Sequence, residues 1–270
     1  MVNWMKYRLL YLAISLLVIG AGTFSAINWG FKIGIDFTGG SVLEYRLPDG
    51  QPKIIKSGPL DQAGKDKIKS DLEKSVGGSV TEVRFENVGP TIGPELVKKT
   101  FYALLISTLS ILLWVAYQFK NIKFGVSATL ATIHDSLVLL GVFSLLGHFF
   151  GAEIDFLFVT AMLTILSFSV HDTIVVFDRI RESKKKGESS SDMYALANQA
   201  LSQTMVRSLN NSFTIIFMLA ALILMGGETV KWFSVALLVG TISGTYSSPF
   251  VAVSILVTWD ELQKKFKKSS

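Results

Sequence analysis

The sequence contains no cysteine and only three histidines among its 270 residues. The absence of cysteine excludes a disulfide scaffold, a thiolate zinc site, an iron–sulfur cluster and a cysteine nucleophile. Three histidines are too few for a histidine-rich metal site, so we expect neither a metal ion nor a cofactor. Charge is also scarce, because 17% of the residues are Asp, Glu, Lys or Arg, against about 25% in an ordinary soluble domain.

Recognisable catalytic motifs are missing as well. The chain has no HExxH sequence, no GxSxG sequence and no paired aspartates in the context of an intramembrane protease. Gly39 and Gly40 are not followed by the Gly-Lys-Ser/Thr of a phosphate-binding loop. We therefore expect that the protein is not an enzyme.

The scarcity of charge leaves long apolar windows. The windows with few or no ionisable residues are 9–27, 100–119, 124–150, 156–177, 208–227 and 232–259. A membrane-spanning helix needs about 20 mostly apolar residues, so we predict six transmembrane helices. The alternative, buried helices of a soluble core, is disfavoured because such helices rarely lack a polar face over this length. The first window exceeds the ~7–15 apolar residues of a cleaved signal peptide, and we expect a retained helix.

Basic residues predict the orientation of these helices. The N-terminus, residues 120–123, residues 178–207 and residues 260–270 are rich in Lys and Arg, whereas the short loops between the other helix ends hold only Lys231. Because cytoplasmic loops are enriched in Lys and Arg, we expect both termini to be cytoplasmic. The net charge of +5 then follows from topology, and we expect no nucleic-acid partner.

One sizeable soluble segment remains on the outer side, between the first and second helices. SVLEYRL at residues 41–47 and VTEVRFENV at residues 80–88 are typical of strands, and residues 60–75 are typical of a charged helix. We predict an α-helical integral membrane protein, a six-helix transmembrane bundle with a small α/β extracytoplasmic domain. The predicted organisation is residues 1–27 (N-terminus and helix 1), 28–99 (outer domain), 100–259 (helices 2–6, with a cytoplasmic loop at about 178–207) and 260–270 (cytoplasmic tail).

Two aspartates interrupt the apolar windows, Asp135 in the third helix and Asp172 in the fourth. Each follows a histidine, His134 and His171 respectively. Ionisable residues inside a membrane are costly and are functional candidates by default. A carboxyl removed from water could take up and release protons, and the histidines could relay them. The alternatives are aspartates that only hold helices together by hydrogen bonds and neutral histidines that only hydrogen-bond.

Two further features accompany the aspartates. Arg207 precedes the fifth helix and could supply a counter-charge, while Asn210 and Asn211 add polar lining. Gly240 and Gly244 in the sixth helix form a GxxxG pattern, which lets a second helix approach closely but is a weak motif by itself.

Three segments together resemble the SecD/SecF family, and within it the SecF subunits. They are GIDFTGG at 34–40, VHDTIVVFDRIRE at 170–182 and GGETVKWFSVALLVGTISGTYSSPFVA at 226–252, and the resemblance extends over essentially the whole chain. The family-motif residues are Gly34, Asp36, Phe37, Gly39, Gly40, Asp178 and Arg179.

The resemblance implies a subunit that pairs with SecD, so that the two form a twelve-helix core related to the RND transporters. It implies association with the SecYEG channel and use of the proton gradient to draw secreted polypeptides outward after ATP-driven insertion by SecA. The implied location is the bacterial inner membrane. Independently, transporters are often built from repeated halves with the coupling site at their interface, so a chain that holds one half is expected to need a partner.

The resemblance also suggests roles for individual residues. Family members usually have Asn-Asp-Thr where this chain has HDT at residues 171–173, which assigns the proton-pathway role to Asp172 and makes the histidine a departure. SecF proteins carry a functionally important arginine in a Leu-x-Arg-Thr pattern at the start of the fifth helix. This chain has LSQT at residues 201–204, with Gln203 at that position. Arg207 lies one helical turn later on the same face, and we expect it to supply the charge instead.

Two other functions are alternatives to proton-driven export of proteins. One is half of a proton-coupled RND-type exporter of small molecules, which would need a large outer domain, whereas residues 28–99 offer little room for a pocket. The other is a membrane scaffold that no proton gradient drives, in which Asp135 and Asp172 only pack helices.

Overall fold

The structure is a computed structural model that describes residues 2–89, 92–186 and 192–269. Within these ranges lie six helical segments long and apolar enough to cross a membrane, which confirms the predicted multi-pass helical fold. The helices are α1 (Arg8–Trp29, preceded by a 3-10 turn at Trp4–Tyr7), α2 (Ile35–Thr38), α3 (Gln62–Val76), α4 (Ile92–Phe119), α5 (Ile122–Phe150), α6 (Phe156–Lys186), α7 (Met193–Met225), α8 (Glu228–Ser247) and α9 (Val253–Ser269). The chain forms two compact units, a small one of Ile33–Ala103 with Ile154–Phe156, and a helical bundle made of the remaining segments.

The ends of α5 follow from its local sequence. The side-chain oxygen of Asn121 accepts a hydrogen bond from the backbone N–H of Lys123 at 3.0 Å, as an N-cap residue does. Gly151 ends the helix in the left-handed conformation, with φ at 79°, where glycine has no Cβ to clash. Only Lys120 and Asn121 separate α4 from α5, so the chain reverses direction within two residues.

The sixth membrane segment is continuous but not regular. A π-helical turn at Ser248–Ala252 joins α8 to α9. Pro249 lies in this turn and has no N–H to donate to the preceding turn, which favours a local change of helix type. Turns of this kind are frequent at functional sites.

Close packing of small and aromatic residues holds the bundle together. The rings of Phe119 and Phe124 stack with centroids 5.0 Å apart, and Phe177 meets both of them edge-on. α1 and α5 cross so closely that a Cβ on Gly141 would lie 2.6 Å from the Cα of Gly22. The aromatic cluster thus joins α4, α5 and α6, and the glycine contact joins α1 to α5.

Ion pairs gather at one end of the bundle. The guanidinium of Arg8 donates to both carboxylate oxygens of Glu261, at 2.7 and 2.6 Å, in the bidentate geometry that makes such pairs strong. Lys123 Nζ lies 3.0 Å from Asp260 Oδ1. The pairs connect α1 and α5 to α9, at the helix ends that the sequence predicts to be cytoplasmic.

The small unit is an antiparallel three-stranded sheet with one helix. The strands are β1 (Gly40–Arg46), β2 (Pro52–Ser57) and β3 (Thr81–Val88), in the order β2–β1–β3. β1 and β3 correspond to the two predicted strands, and α3 to the predicted helix. β2 was not predicted, because the segment PKIIKS is mostly exposed and shows no apolar alternation.

Polar contacts and a small core stabilise this unit. Leu43, Tyr45 and Val80 are buried at its centre. Lys65 on α3 lies 2.8 Å from the carboxylate of Glu82 on β3, and this hydrogen bond raises the pKa of Lys65. The pair therefore joins the helix to the sheet on the solvent side of the core.

The connection predicted at residues 178–207 is built mostly of helix. α6 continues to Lys186 and α7 begins at Met193. Residues 187–191 of the predicted loop lie outside the described residues, as do residues 90–91 of the predicted outer domain, residue 1 and residue 270.

Candidate functional site

Asp135 lies at the centre of a buried polar cluster in the bundle. Its exposed fraction is 0%, and both carboxylate oxygens have partners. Ser243 donates to Oδ1 at 2.6 Å, and His134 Nδ1 lies 3.1 Å from the same oxygen. Ser169 and Ser247 each donate to Oδ2 at 2.6 Å. One carboxyl group thus connects α5, α6 and α8.

The four contacts determine how Asp135 can respond to a proton. An ionised carboxylate only accepts hydrogen bonds and has about four sites for them, which the four contacts occupy. A protonated carboxyl must donate one bond, so one serine hydroxyl would have to turn and accept it. Hydroxyl groups rotate without movement of the backbone. Asp135 is therefore suited to join helices in either protonation state.

Asp172 is the less enclosed of the two carboxyl groups. It is 6% exposed, and Ser208 of α7 donates to its Oδ2 at 2.8 Å. The hydroxyl of Ser248 instead donates to the backbone carbonyl of Ser169 at 3.1 Å. A carboxylate with fewer donors gives up fewer hydrogen bonds when it is protonated. Asp172 is therefore the better candidate for a group that changes charge, and Ser208 ties that change to α7.

Hydroxyl groups link the surroundings of the two aspartates. Thr173, next to Asp172, donates to Ser248 at 3.0 Å, and Ser248 donates to the backbone carbonyl of Ser169 at 3.1 Å. The side chain of Ser169 in turn donates to Asp135. We call this set the carboxyl–hydroxyl network: Asp135, Ser169, Asp172, Thr173, Ser208, Ser243, Ser247 and Ser248.

The sequence analysis identified the aspartates of this network but missed its hydroxyl groups. Ser243 and Ser247 are one helical turn apart on α8 and share a face, and Ser248 begins the π-helical turn next to Pro249. The available signal was the spacing of these serines beside a proline. It is weak, because serine is common where membrane helices pack.

The two histidines occupy different environments. His134 is 7% exposed, and its Nε2 is buried without a hydrogen-bond partner in the described part of the chain. The side chain of His171 is exposed on α6. His134 is thus placed beside Asp135, while His171 points out of the bundle that this chain forms. Across residues 2–89, 92–186 and 192–269, no group of three or more His, Asp or Glu side chains is placed to hold a metal ion.

Polar side chains form an exposed stripe along two membrane helices. On α6 the exposed residues Thr160, Thr164, Ser167 and His171 repeat every three or four positions and so share a face. The exposed polar residues of α7 in the same set are Gln203, Arg207, Asn210, Asn211 and Thr214. Thr164 and Thr214 donate to backbone carbonyls of their own helices, but hydrocarbon offers no partners for polar groups that are not satisfied within the chain. We call these nine residues the polar stripe.

Arg207 lines a cavity of about 280 Å³ together with Asp178 and Arg179. Among the described residues, none forms a hydrogen bond or an ion pair with the Arg207 side chain, and the hydroxyl that donates to Asp172 belongs to Ser208. Arg179 instead reaches from α6 to α7, where its Nε donates to Oε1 of Gln203. The position where the resemblance implies an arginine therefore has the guanidinium of Arg179 beside it, and a role for Arg207 stays a prediction.

The motif at residues 34–40 has a structural position in the small unit. The backbone N–H of Gly34 donates to the carbonyl of Ile154 at 2.8 Å. Asp36 Oδ2 accepts a hydrogen bond from the backbone N–H of Phe156, the first residue of α6, at 2.8 Å. A carboxylate is stabilised at a helix N-terminus, where N–H groups lack internal partners.

The remaining residues of this motif allow close backbone contacts. Gly39 and Gly40 have φ values of 74° and 132°, and a Cβ on Gly40 would lie 2.8 Å from the carbonyl oxygen of Ser57. The backbone of Phe37 packs against Gly93, where a Cβ would lie 2.3 Å from the Phe37 oxygen. The motif thus anchors the sheet through backbone contacts.

Gly240 and Gly244 pack α8 against α6 of the same chain. A Cβ on Gly240 would lie 2.1 Å from Ile165 Cδ1, and one on Gly244 would lie 3.3 Å from Ser169 Cβ. This close approach brings Ser243 and Ser247 within reach of Asp135.

Sequence comparison places this arrangement among known proteins. The family model for the protein export membrane protein SecD/SecF, C-terminal, matches residues 68–262. The protein translocase subunit SecF of Thermobaculum terrenum is 37% identical, over 96% of this chain and 94% of that protein. The SecF subunit of Anaerolinea thermophila is 34% identical, over 100% of this chain and 98% of that protein.

Solved structures show the same architecture. SecDF from Thermus thermophilus, a translocon-associated membrane protein, matches 96% of this chain with a TM-score of 0.85 and 30% identity. A second structure of SecDF, in a super-membrane-facing form, matches 99% with a TM-score of 0.79. This chain spans 39% and 40% of those two chains. With the full-length similarity to SecF subunits, these matches show that the chain belongs to the SecF family of protein translocase subunits.

Proposed function

We propose that this chain acts with a SecD partner to promote protein export through SecYEG, driven by the proton gradient. The observation that carries the proposal is the carboxyl–hydroxyl network, in which two buried carboxyl groups connect α5, α6, α7 and α8 inside a membrane bundle. Intramembrane carboxyl groups mark proton and ion pathways. Membership of the SecF family supports the export role.

The polar stripe supports the need for a partner chain. A line of exposed polar groups, with His171 and Asn210 among them, is unfavourable against lipid but favourable against a second polar surface or a water-filled path. This chain matches 39% and 40% of the two related SecDF chains, so more than half of each SecDF chain has no counterpart in it. We infer that a SecD chain corresponds to that additional length and covers the stripe.

In the proposed cycle, proton uptake from the outer side neutralises Asp172. The bond from Ser208 to Asp172 (2.8 Å) is then weaker, because hydrogen bonds to ionised groups are stronger than bonds to neutral groups. Since this bond joins α6 to α7, its weakening allows the two helices to shift. The hydrogen bonds of Thr173, Ser248 and Ser169 connect this region to Asp135. Proton release to the inner side restores the charge. The small unit handles the emerging polypeptide on the outer side.

The proton gradient supplies enough free energy for this step. One elementary charge that crosses 100 mV releases about 2.3 kcal/mol, which shifts a conformational equilibrium about 50-fold. A hydrogen bond between membrane helices contributes about 0.6 kcal/mol on average. The transfer of one proton therefore exceeds the stabilisation that the Asp172–Ser208 bond provides.

We further propose an inner-membrane location with both termini in the cytoplasm. Arg8, Lys123 and Lys264 lie at one end of the bundle, held in ion pairs to Glu261 and Asp260. Basic residues at helix ends mark the cytoplasmic side. Glu261 and Asp260 do not neutralise all the positive charge at this end of the bundle, because Lys6 and Lys265 are also exposed there.

Gradient-stimulated translocation in membrane vesicles tests the proposal. Vesicles with SecYEG, SecA, the partner and either parent chain or Asp172→Asn are compared with and without a proton gradient. Asparagine keeps the shape of aspartate but cannot change charge, so we expect loss of the gradient-dependent stimulation and unchanged ATP-driven insertion. Ser208→Ala keeps the carboxyl and loses one bond, so a partial loss is expected.

Asp71→Asn is the matched control, because Asp71 is exposed on α3 and has no part in the network. It should behave as the parent chain does. Normal stimulation in Asp172→Asn, at normal protein levels, would contradict proton coupling and would favour a scaffold in which the aspartates only pack helices.

A further inference from the structure

Two cavities open in the helical bundle where α4, α5 and α6 end. Their volumes are about 280 and 530 Å³, and both are lined by Phe119, Lys120, Arg181 and Lys184. We call them together the basic pocket. It shares no lining residue with the carboxyl–hydroxyl network, so the proposed proton pathway does not account for it.

The basic pocket has an excess of positive charge. Within the described ranges, the side chains of Lys120, Lys184 and Lys185 form no hydrogen bond and no ion pair. The acid that lines the smaller cavity is Asp260, and Lys123 already lies 3.0 Å from it. The tendency of basic residues to lie on the cytoplasmic side of a membrane accounts for the end of the bundle at which they occur. It does not explain why Lys120, Lys184 and Lys185 converge on one concave surface.

Arg181 is held in a fixed orientation in the wall of the pocket. Its guanidinium lies 5.1 Å from the ring centroid of Phe119 and donates to the backbone carbonyl of Gln118 at 3.1 Å. Asp178 binds the other side of the guanidinium. A planar, oriented guanidinium presents its N–H donors to phosphate oxygens in a defined geometry.

Lys120 has an unusual backbone conformation for its residue type. Its φ is 50°, and it is the one non-glycine residue with a positive φ in the described chain. The position directly after a helix in this conformation is usually glycine, because a Cβ is disfavoured there. Lysine at this position lowers the stability of the fold relative to glycine. The presence of lysine is explained if its side chain binds a ligand.

We infer that the basic pocket binds the phosphate group of an anionic membrane lipid. The pocket lies where three membrane-crossing helices end, so its cations lie at the depth of lipid headgroups rather than in bulk solvent. Basic pockets between membrane helices at this depth bind anionic headgroups. The N-terminus of α5, which starts at Ile122, adds partial positive charge beside Lys120.

Mass spectrometry of the intact, full-length chain in detergent measures this binding directly. The probes are dioleoyl-phosphatidylglycerol, dioleoyl-phosphatidylcholine and inorganic phosphate. The parent chain should bind phosphatidylglycerol in preference to phosphatidylcholine. Lys120→Gln with Lys184→Gln should weaken that binding on the order of 10-fold or more, since each lysine near anionic lipid contributes roughly fivefold. Lys6→Gln with Lys265→Gln is the control of equal charge and should change it less than about twofold.

Lys120→Gly is the sharpest single variant. Glycine relieves the backbone, so the variant should unfold at a higher temperature than the parent while it binds phosphatidylglycerol more weakly. A lysine with only a structural role would not give opposite changes in stability and binding. The exposed residue Lys184, changed alone to Gln, keeps the test valid if a double variant does not fold.

Three results would overturn the inference. The first is equal binding of the two lipids by the parent chain. The second is the same loss in the control variant as in the Lys120/Lys184 variant. The third is binding of inorganic phosphate without a preference for phosphatidylglycerol, which would assign the pocket to free phosphate instead.

Discussion

Removal of the Ser243 hydroxyl isolates one of the four contacts of Asp135. With Ser243→Ala, the Oδ1 oxygen loses a donor at 2.6 Å and keeps only His134 Nδ1 at 3.1 Å. Ser127→Ala is the matched control, because the Ser127 hydroxyl lies on α5, is buried, and has no hydrogen-bond partner in the described structure. Both variants remove one buried oxygen from the bundle, and only the first removes a hydrogen bond.

The expected cost follows from the geometry of this bond. Hydrogen bonds between membrane helices contribute about 0.6 kcal/mol on average and up to about 1.7 kcal/mol. A bond as short as 2.6 Å belongs to the upper part of this range, so Ser243→Ala should lower the free energy of unfolding by about 1–1.7 kcal/mol. Ser127→Ala should leave it within about 0.5 kcal/mol of the parent value. In an Asp135→Asn background, where an amide replaces the carboxyl group that Ser243 contacts, the cost of Ser243→Ala should fall to less than about half.

Reversible unfolding of the full-length chain in lipid–detergent bicelles measures these differences. The double-mutant cycle reports the coupling of Ser243 to Asp135 separately from any general effect of the serine. Equal costs for the two serines, or strict additivity of Ser243→Ala and Asp135→Asn, would refute the claim that Asp135 connects α5 to α8.

Two further predictions concern packing and charge. Gly240→Ala places a Cβ 2.1 Å from Ile165, whereas the Cβ of Gly20→Ala meets nothing within 4 Å. In the same unfolding assay, Gly240→Ala should lower the free energy of unfolding by about 1–3 kcal/mol, and Gly20→Ala should not lower it. Equal costs would contradict the packing of α8 on α6. Gln203→Arg combined with Arg207→Thr returns the arginine to the position implied by the family. Gradient-stimulated export should be preserved in this double variant and lowered in Arg207→Thr alone. Loss of export in the double variant would show that Arg207 does not substitute for that arginine.

The features that could be predicted from the sequence are those that depend on a run of consecutive residues. Apolar windows of sufficient length identify the membrane helices, and a carboxyl group inside such a window is conspicuous whatever surrounds it. Asp135 and Asp172 were therefore found without a structure. The small sheet was found in part, since β1 and β3 alternate in polarity and β2 does not.

The hydrogen-bond partners of the aspartates could not be predicted in the same way. Many serines occur in these helices, and which of them face Asp135 depends on how α8 is rotated and how closely it approaches α6. That approach depends on Gly240 against Ile165. The contact between Arg179 and Gln203 likewise depends on the packing of α6 against α7. The resemblance to the family and the helical spacing that suggested Arg207 do not record this packing.

Proton transport by the reconstituted complex tests the central claim most directly. Vesicles that contain the chain and its SecD partner, loaded with a pH-sensitive dye, report proton movement after an outside acid pulse. The account predicts that vesicles with the parent chain and vesicles with Asp71→Asn acidify at the same rate. It predicts that vesicles with Asp172→Asn acidify no faster than vesicles without protein. Proton movement in Asp172→Asn at the rate of the parent chain would contradict the claim that Asp172 carries the proton.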